Sequence, residues 1–324
     1  MKTFNEIAQL VNDEVEKLDW NKAPHGLYDP IDYVLALGGK RIRPTLTLMS
    51  CNLFSDDVTP AIAPALGLEV FHNFTLLHDD IMDRADIRRG RPTVHKKWDD
   101  NTAILSGDVM QIAAYQLIAQ TPIQILKPVL DLFSQTAVEV CEGQQFDVDF
   151  ESRNNVDANE YLEMIRLKTA VLLACSLKTG AIVGGAGEED AQHLYDFGIN
   201  IGLAFQLKDD LLDVYGEEAT FGKKIGGDIL CNKKTYLLIH ALELAQGADL
   251  EELHGWLKKS DANPDDKINA ITHLYNCLGV KKICEDKMSF FYEKAVANLE
   301  NVGVNDNKKQ ELRKLAHKLM LRND

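Results

Sequence analysis

The sequence predicts an all-α protein, and three observations carry that expectation. No sustained run alternates apolar and polar residues between turn residues, as a half-buried strand would. Apolar positions recur instead at helical spacing along most of the chain. The nine prolines stand mostly at helix boundaries, where a missing N–H costs least.

From the amino end, Phe4, Ile7, Leu10, Val11, Val15 and Leu18 mark a helix over 2–19, with neither the basic start nor the apolar run of a signal peptide. Helices follow at 29–37, 42–52 and 59–83, separated by "GGKR" (38–41) and "LFSDD" (53–57). After "RRGRP" (88–92) come helices at 101–120 and 125–150. Residues 109–126 carry no charge and approach the length of a membrane span. Four glutamines, a threonine and a proline among them mark a buried core helix instead. A helix over 157–180 leads through "GGAGEED" (184–190) to another over 188–214. Beyond the Gly- and Lys-rich "FGKKIGGD" (221–228) lie helices at 232–246, 264–276, 280–299 and 306–321. Helices 101–120 and 188–207 are apolar around most of their circumference, which predicts that others wrap them. No stretch has the composition of a linker and no period repeats, so residues 1–324 are expected to form one domain, a single helical bundle.

With 45% hydrophobic residues in 324, the chain can bury a large core without disulfides. Lys and Arg total 35 against 50 Asp and Glu, a net charge of −15, which argues against a nucleic-acid surface. Any anionic ligand must be met locally, by placed cations or by metal. Cys51, Cys141, Cys175, Cys231, Cys277 and Cys284 form no CxxC pair and read as reduced packing thiols of a cytosolic protein.

Two acidic triplets stand out. In "LLHDDIMDRADIRRGRPTVH", Asp79 and Asp83 share a helix face while Asp80 points aside. The arrangement recurs in "FQLKDDLLDVYG" as Asp209, Asp210 and Asp213. Like charges at that spacing repel unless a cation lies between them. Each triplet ends a strongly apolar helix, where a solvated acidic face is out of place. Oxygen-only clusters suit Mg²⁺, which takes one or two carboxylates together with substrate phosphates. The basic residues of "GGKRIRP" and "RRGRP", with Lys168 in "RLKTA" and Lys223, Lys224 and Lys233 further on, sit at helix edges and in Gly-containing loops. There Arg supplies bidentate clamps for phosphate and Lys supplies point charges.

Together these residues resemble the trans-isoprenyl diphosphate synthases, the polyprenyl synthetases that include farnesyl and geranylgeranyl diphosphate synthases. The likeness runs from "LALGGKRIRPTL" through "LKTA" to "FGKKIGGDILCNKKT", in the family's order and spacing. It implies a helical bundle around a deep central cavity, the type I isoprenoid synthase fold, working as a cytoplasmic homodimer without a membrane anchor. The resemblance gives Asp79, Asp83 and Asp209 as the principal ligands of three Mg²⁺ ions, with Asp80, Asp210 and Asp213 supporting them. Arg88, Lys168, Thr169, Gln206, Lys223 or Lys224, and Lys233 match the allylic site, and Lys40, Arg43, His72 and Arg89 the isopentenyl diphosphate site. The implied reaction is metal-assisted ionisation of an allylic diphosphate, condensation with isopentenyl diphosphate and loss of a proton.

Phe74 and Phe71 precede Asp79 by five and eight residues, about 7 and 12 Å along a helix axis. Either ring can floor the cavity. In the family an aromatic residue at the fifth position goes with short products, and Thr75 at the fourth leaves C15 open, so C15 to C20 products are expected, with C20 ahead. A terpene cyclase or head-to-head synthase needs no isopentenyl site, and a regulatory subunit has no reason to bear the electrostatic cost of both triplets.

Overall fold

Capping chemistry sets where the helices begin. Thr3 and Glu6 form a reciprocal capping box at the start of α1 (Phe4–Val15), and Asp157 and Glu160 form another before α8 (Ala158–Ile165). The computed structural model describes residues 2–216, 225–259 and 261–321. Contacts within the chain gather into two compact units. The first takes the chain up to Gln135 with Cys175–Tyr195 and Val302–Glu311, and the second takes Thr136–Ala174, Asp196–Asn301 and the residues from Leu312 on. Their boundaries fall inside continuous helices or at a helix end, and none is a linker.

The first unit begins with α1, α2 (His25–Ala36) and α3 (Ile42–Phe54), then a 3₁₀ turn leads into α4 (Ile62–Met82). A two-residue hairpin, β1 (Ile87–Arg88) and β2 (Arg91–Pro92), precedes the short α5 (Val94–Lys97) and α6 (Asp100–Ile118), after which α7 (Ile123–Ser152) begins. Helix α4 is the centre of this unit, buried from Pro64 to Phe71 and packed on α6 and α3. Gly67 permits the close α4–α6 crossing, since a Cβ there would lie 3.0 Å from the Ala114 carbonyl oxygen. Helix α9 (Val171–Gly184) lies backbone to backbone on α3. A Cβ on Gly180 would collide with the Thr47 carbonyl oxygen, and Ser50 Oγ donates to the Leu177 carbonyl at 2.6 Å.

In the second unit α8 runs through a π turn (Arg166–Ala170) into α9. The carboxyl half of α10 (Glu188–Tyr215) is followed by α11 (Gly227–Leu230), α12 (Tyr236–Leu244), α13 (Gly247–Lys258), α14 (Pro264–Leu278) and α15 (Val280–Asn301), with the end of α16 (Asp306–Leu321). Tyr161, Leu207, Leu237, Ile271, Tyr275 and Phe291 lie in one buried cluster.

Several sequence expectations need correction. Residues 109–126 are not one helix, because α6 stops at Ile118 and Pro122 separates it from α7. Nor is α6 wrapped on all sides: Ile104, Leu105 and Ile112 are 43, 57 and 59% exposed. Helix α13 was not anticipated, since Gly247 and Gly255 mask its Leu250, Leu253, Trp256 and Leu257 stripe. The hairpin in "RRGRP" exists because Arg89 and Gly90 take φ of 53° and 74°, the positive-φ pair of a tight two-residue turn. None of the six cysteines forms a disulfide, and Cys141, Cys231 and Cys277 are exposed, not core thiols. The stretch 158–184 is long and apolar enough to cross a membrane, yet 67% of its most apolar window is buried in protein, as in a core helix.

Gly180→Ala is expected to destabilise the fold by about 1–3 kcal/mol through overpacking against α3. Gly26→Ala, at a helical position with nothing within 4 Å of the new methyl, is expected to be neutral or slightly stabilising. Urea midpoints compare the two, and equal midpoints would contradict the tight α3–α9 contact.

Candidate active site

Helix α4 delivers the first triplet at its carboxyl end. The Asp83 N–H donates to the Asp79 carbonyl at 2.8 Å, so the two residues stack one turn apart on one face. Asp83 is exposed and Asp79 half-buried, whereas Asp80 is buried at 3% exposure. Arg88 on β1 holds Asp80 through Nε, at 2.9 and 2.8 Å from its two oxygens, and through Nη2 at 2.7 Å. Such a charge-assisted fork takes up the carboxylate's acceptor capacity. Asp80 thus orients Arg88 and is not presented outward with Asp79 and Asp83.

The hairpin turn carries Arg89 to the loop before α3. A Cβ on Gly39, whose φ is 141°, would lie 2.7 Å from Arg89 Nη2, so only glycine fits there. "GGKRIRP" and "RRGRP", fifty residues apart in sequence order, therefore meet through Gly39 and Arg89, with Lys40 exposed in the first motif. Arg43 has a buried Nε without a partner, and burial, with Arg89 nearby, pulls its guanidinium down to about 10 against the pull of Glu69. Glu69 is 4% exposed on α4, held by Asn73 Nδ2 at 3.0 Å, and its carboxyl is raised by burial despite Arg43. Burial, then Arg43, Arg89 and Arg88, hold the His72 imidazole well below its usual range. The first unit thus gathers Arg43, Arg88 and Arg89 near the His72 imidazole, with the buried carboxyl groups of Glu69 and Asp80 opposing them.

The proposed floor residues lie on the same helix. Phe74 is 7% exposed and Phe71 fully buried, their ring centroids 5.4 Å apart. Behind Phe71 stands Phe133 at 5.2 Å, itself against Tyr115 at 4.9 Å. The Thr75 hydroxyl donates to the His72 carbonyl at 2.8 Å and so is satisfied within its own helix. His78 packs on Phe74 at 4.8 Å, in space left by Gly107.

In the second unit, Gln206, Asp209 and Asp213 share one face of α10 by their three- and four-residue spacing. Asp210 turns inward, where its Oδ2 accepts from the Tyr161 hydroxyl at 2.6 Å and the Tyr236 N–H at 3.4 Å. Burial, with Asp228 adding to it, pushes Asp210 up to about 8. Asp213 Oδ2 accepts the Asp228 N–H at 3.0 Å and is pushed up to about 6 by burial, then Asp228. Lys233, exposed after α11, opposes both shifts.

Lys168 and Thr169 stand on the π turn, a helix distortion that often marks function. Gly143 on α7 makes room for it, because a Cβ there would collide with the Lys168 backbone nitrogen. One turn further along α7, Asp147 Oδ2 pairs with Lys168 Nζ at 2.6 Å. Lys223 and Lys224 lie outside the described residues. Sequence reasoning missed Glu69, Asp147, Tyr161 and Asp228. Each acts by holding another residue, and no local pattern announces that.

The donor chemistry fits magnesium. Asp79 with Asp83 and Asp209 with Asp213 offer carboxylates in pairs on one helix face each, Asp213 with Oδ2 already accepting the Asp228 N–H, while Asp80 and Asp210 are engaged by Arg88 and Tyr161. Among the described residues no three His, Cys, Asp or Glu form a closed cage. An ion that keeps waters and shares phosphate oxygens needs only such pairs.

Two aspartate-tipped helices, each with one carboxylate tied inward, and arginines gathered by a hairpin define an all-α synthase of the isoprenoid type. The chain belongs to the polyprenyl synthetase family, whose sequence profile matches residues 24–274. It is 39% identical to a geranylgeranyl pyrophosphate synthase of Geoglobus acetivorans over 296 residues, 90% of each chain. To a geranylfarnesyl diphosphate synthase of Natronomonas pharaonis it is also 39% identical, over 76% of this chain and 77% of that one. A crystal structure of a geranylgeranyl pyrophosphate synthase superposes with a TM-score of 0.95 at 44% identity, covering 100% of both chains. The protein is a short-chain trans-isoprenyl diphosphate synthase, a prenyltransferase with the all-α isoprenoid synthase fold.

Tyr161→Phe leaves a buried carboxyl without its shortest hydrogen bond, and a loss of about 1–3 kcal/mol of stability is expected. Chemical denaturation measures it, and a change under about 0.5 kcal/mol, the ordinary range of surface substitutions, would show that the bond contributes little.

Proposed function

We propose that the protein condenses isopentenyl diphosphate with dimethylallyl, geranyl and farnesyl diphosphates and releases mainly C20 prenyl diphosphate. The observation that carries this reading is the aromatic barrier on α4, with Phe74 at the fifth position before Asp79 and Phe71 and Phe133 stacked behind it. A single ring can swing aside, whereas a backed ring resists. The relatives named for C20 and C25 products support a floor of intermediate depth.

Bound Mg²⁺ would act as a Lewis acid on the departing diphosphate, held by Asp79, Asp83, Asp209 and Asp213. Arg88, oriented by Asp80, and Lys168, oriented by Asp147, supply fixed positive charge for the leaving diphosphate, and Lys233 is a third candidate for that role. Lys40, Arg43 and Arg89 bind the diphosphate of the second substrate. The neutral His72 adds a hydrogen bond there without another repelling charge. Thr169, Gln206 and the carbonyls of the π turn offer dipoles to the allylic cation, which stabilise it without trapping it. No placed side chain is a dedicated base, so the released diphosphate takes the proton as the new double bond forms. A homodimer through the exposed apolar residues of α6 is part of this reading, supported by Ile104, Leu105 and Ile112. A cytoplasmic setting accords with six cysteines that form no disulfide.

The test is product analysis with Mg²⁺, labelled isopentenyl diphosphate and each allylic primer in turn. C20 alcohols are expected after dephosphorylation, and Phe74→Ala should move the main product up by at least one isoprene unit. Failure of every primer to elongate would overturn the reading. Gly39→Ala, by displacing Arg89, should raise the KM for isopentenyl diphosphate at least about tenfold, a loss of ~1.4 kcal/mol of binding. The KM for the allylic substrate should stay within about twofold, and an equal rise in both would place Arg89 elsewhere in the reaction.

A further inference from the structure

We propose that a cavity between α10 and α15 is a second, non-catalytic site for an anion with an apolar chain, of the prenyl diphosphate class that the enzyme itself handles. The choice of that class rests on the functional reading above.

The cavity holds about 680 Å³, within the range of ligand pockets. Lys208, Leu211, Leu212 and Tyr215 supply one wall from α10. By helical rotation that face lies roughly 140° around from Gln206, Asp209 and Asp213, so the cavity is not part of the reaction centre. Lys281, Lys282, Glu285 and Met288 of α15 supply the other wall.

Three features give the site its chemistry. In a chain of net charge −15, its lining gathers three lysines against one glutamate, a local reversal of sign. Lys282 pairs with Asp286, at 2.7 Å between two largely exposed side chains, a pair that costs little to exchange for a ligand anion. Lys281 Nζ sits over the Tyr215 ring, 4.6 Å from its centroid. Finally, Leu211 and Leu212, each 6% exposed, and Met288 form an apolar floor beneath the charges. A headgroup among lysines with an apolar surface adjoining describes an amphiphile and not a free phosphate.

The site depends on lysines and needs no metal, so titration calorimetry on the full chain in EDTA removes metal-dependent binding at the aspartates, and substitutions in the cavity separate it from the diphosphate-binding arginines of the first unit. Farnesyl diphosphate is expected to bind with saturable, one-to-one stoichiometry, and inorganic diphosphate at least about tenfold more weakly, a difference of ~1.4 kcal/mol. Lys208→Glu with Lys281→Glu should raise the farnesyl diphosphate Kd at least tenfold, while Mg²⁺-dependent turnover of the lysine variant shows that it is folded. If the double variant does not fold, Lys281→Ala alone must still weaken binding. No saturable binding in EDTA, affinity unmoved by these substitutions, or inorganic diphosphate binding equally well would each overturn the proposal. Dodecyl phosphate binding as tightly as farnesyl diphosphate would overturn the prenyl assignment. Prenyl elongation is measured separately, so failure there and failure here are distinguishable.

Discussion

The division of each aspartate triplet into one carboxylate held inside and two left on a shared helix face is the constraint on which the rest of the structure depends. Three carboxylates in five residues repel one another, and a helix end bearing them all to solvent would fray. Arg88 removes Asp80 from that repulsion by a bidentate pair, and Tyr161 with the Tyr236 N–H removes Asp210 by hydrogen bonding. The two solutions differ chemically. Asp80 is tied by an arginine that it orients, whereas Asp210 is tied by neutral donors and is driven up to about 8 by burial. In both cases the other pair is left with a defined face and an electrostatic appetite for a cation.

Around these anchors the backbone comes unusually close at a few glycines. Gly39 admits the guanidinium of Arg89, Gly107 the ring of His78, Gly143 the π turn with Lys168 and Thr169, and Gly202 the Cα of Ala170. Each is a place where a functional side chain is positioned by the absence of another. Such contacts transmit position rigidly, because atoms at van der Waals distance have nowhere to move.

Much of this was legible in the sequence. The helical class, the two triplets and the order of the basic motifs follow from spacing alone, because repulsive charge at the end of an apolar helix has few explanations. The tight turn in "RRGRP" was less legible, since a two-residue hairpin is fixed by φ at Arg89 and Gly90, not by any alternating pattern. The latches were illegible for a different reason. Tyr161 and Asp210 are forty-nine residues apart, and Asp147 meets Lys168 across twenty-one, so each partner alone looks like an ordinary aromatic or a solvated acid. The exposed side of α6 was misjudged because hydrophobicity around a whole helix says that it is covered without saying by what.

Helix α4 carries both the outward aspartates and the aromatic barrier in one unbroken element. On the function proposed above, its rise of about 1.5 Å per residue would act as a ruler graduated in side chains, with its zero at the aspartates and its stop wherever a large ring stands. On that reading selection could retune what the enzyme makes by exchanging one side chain at a time, in discrete steps and without disturbing the chemistry at the other end. A lineage that needs longer or shorter lipids would then have that adjustment available inside a single helix.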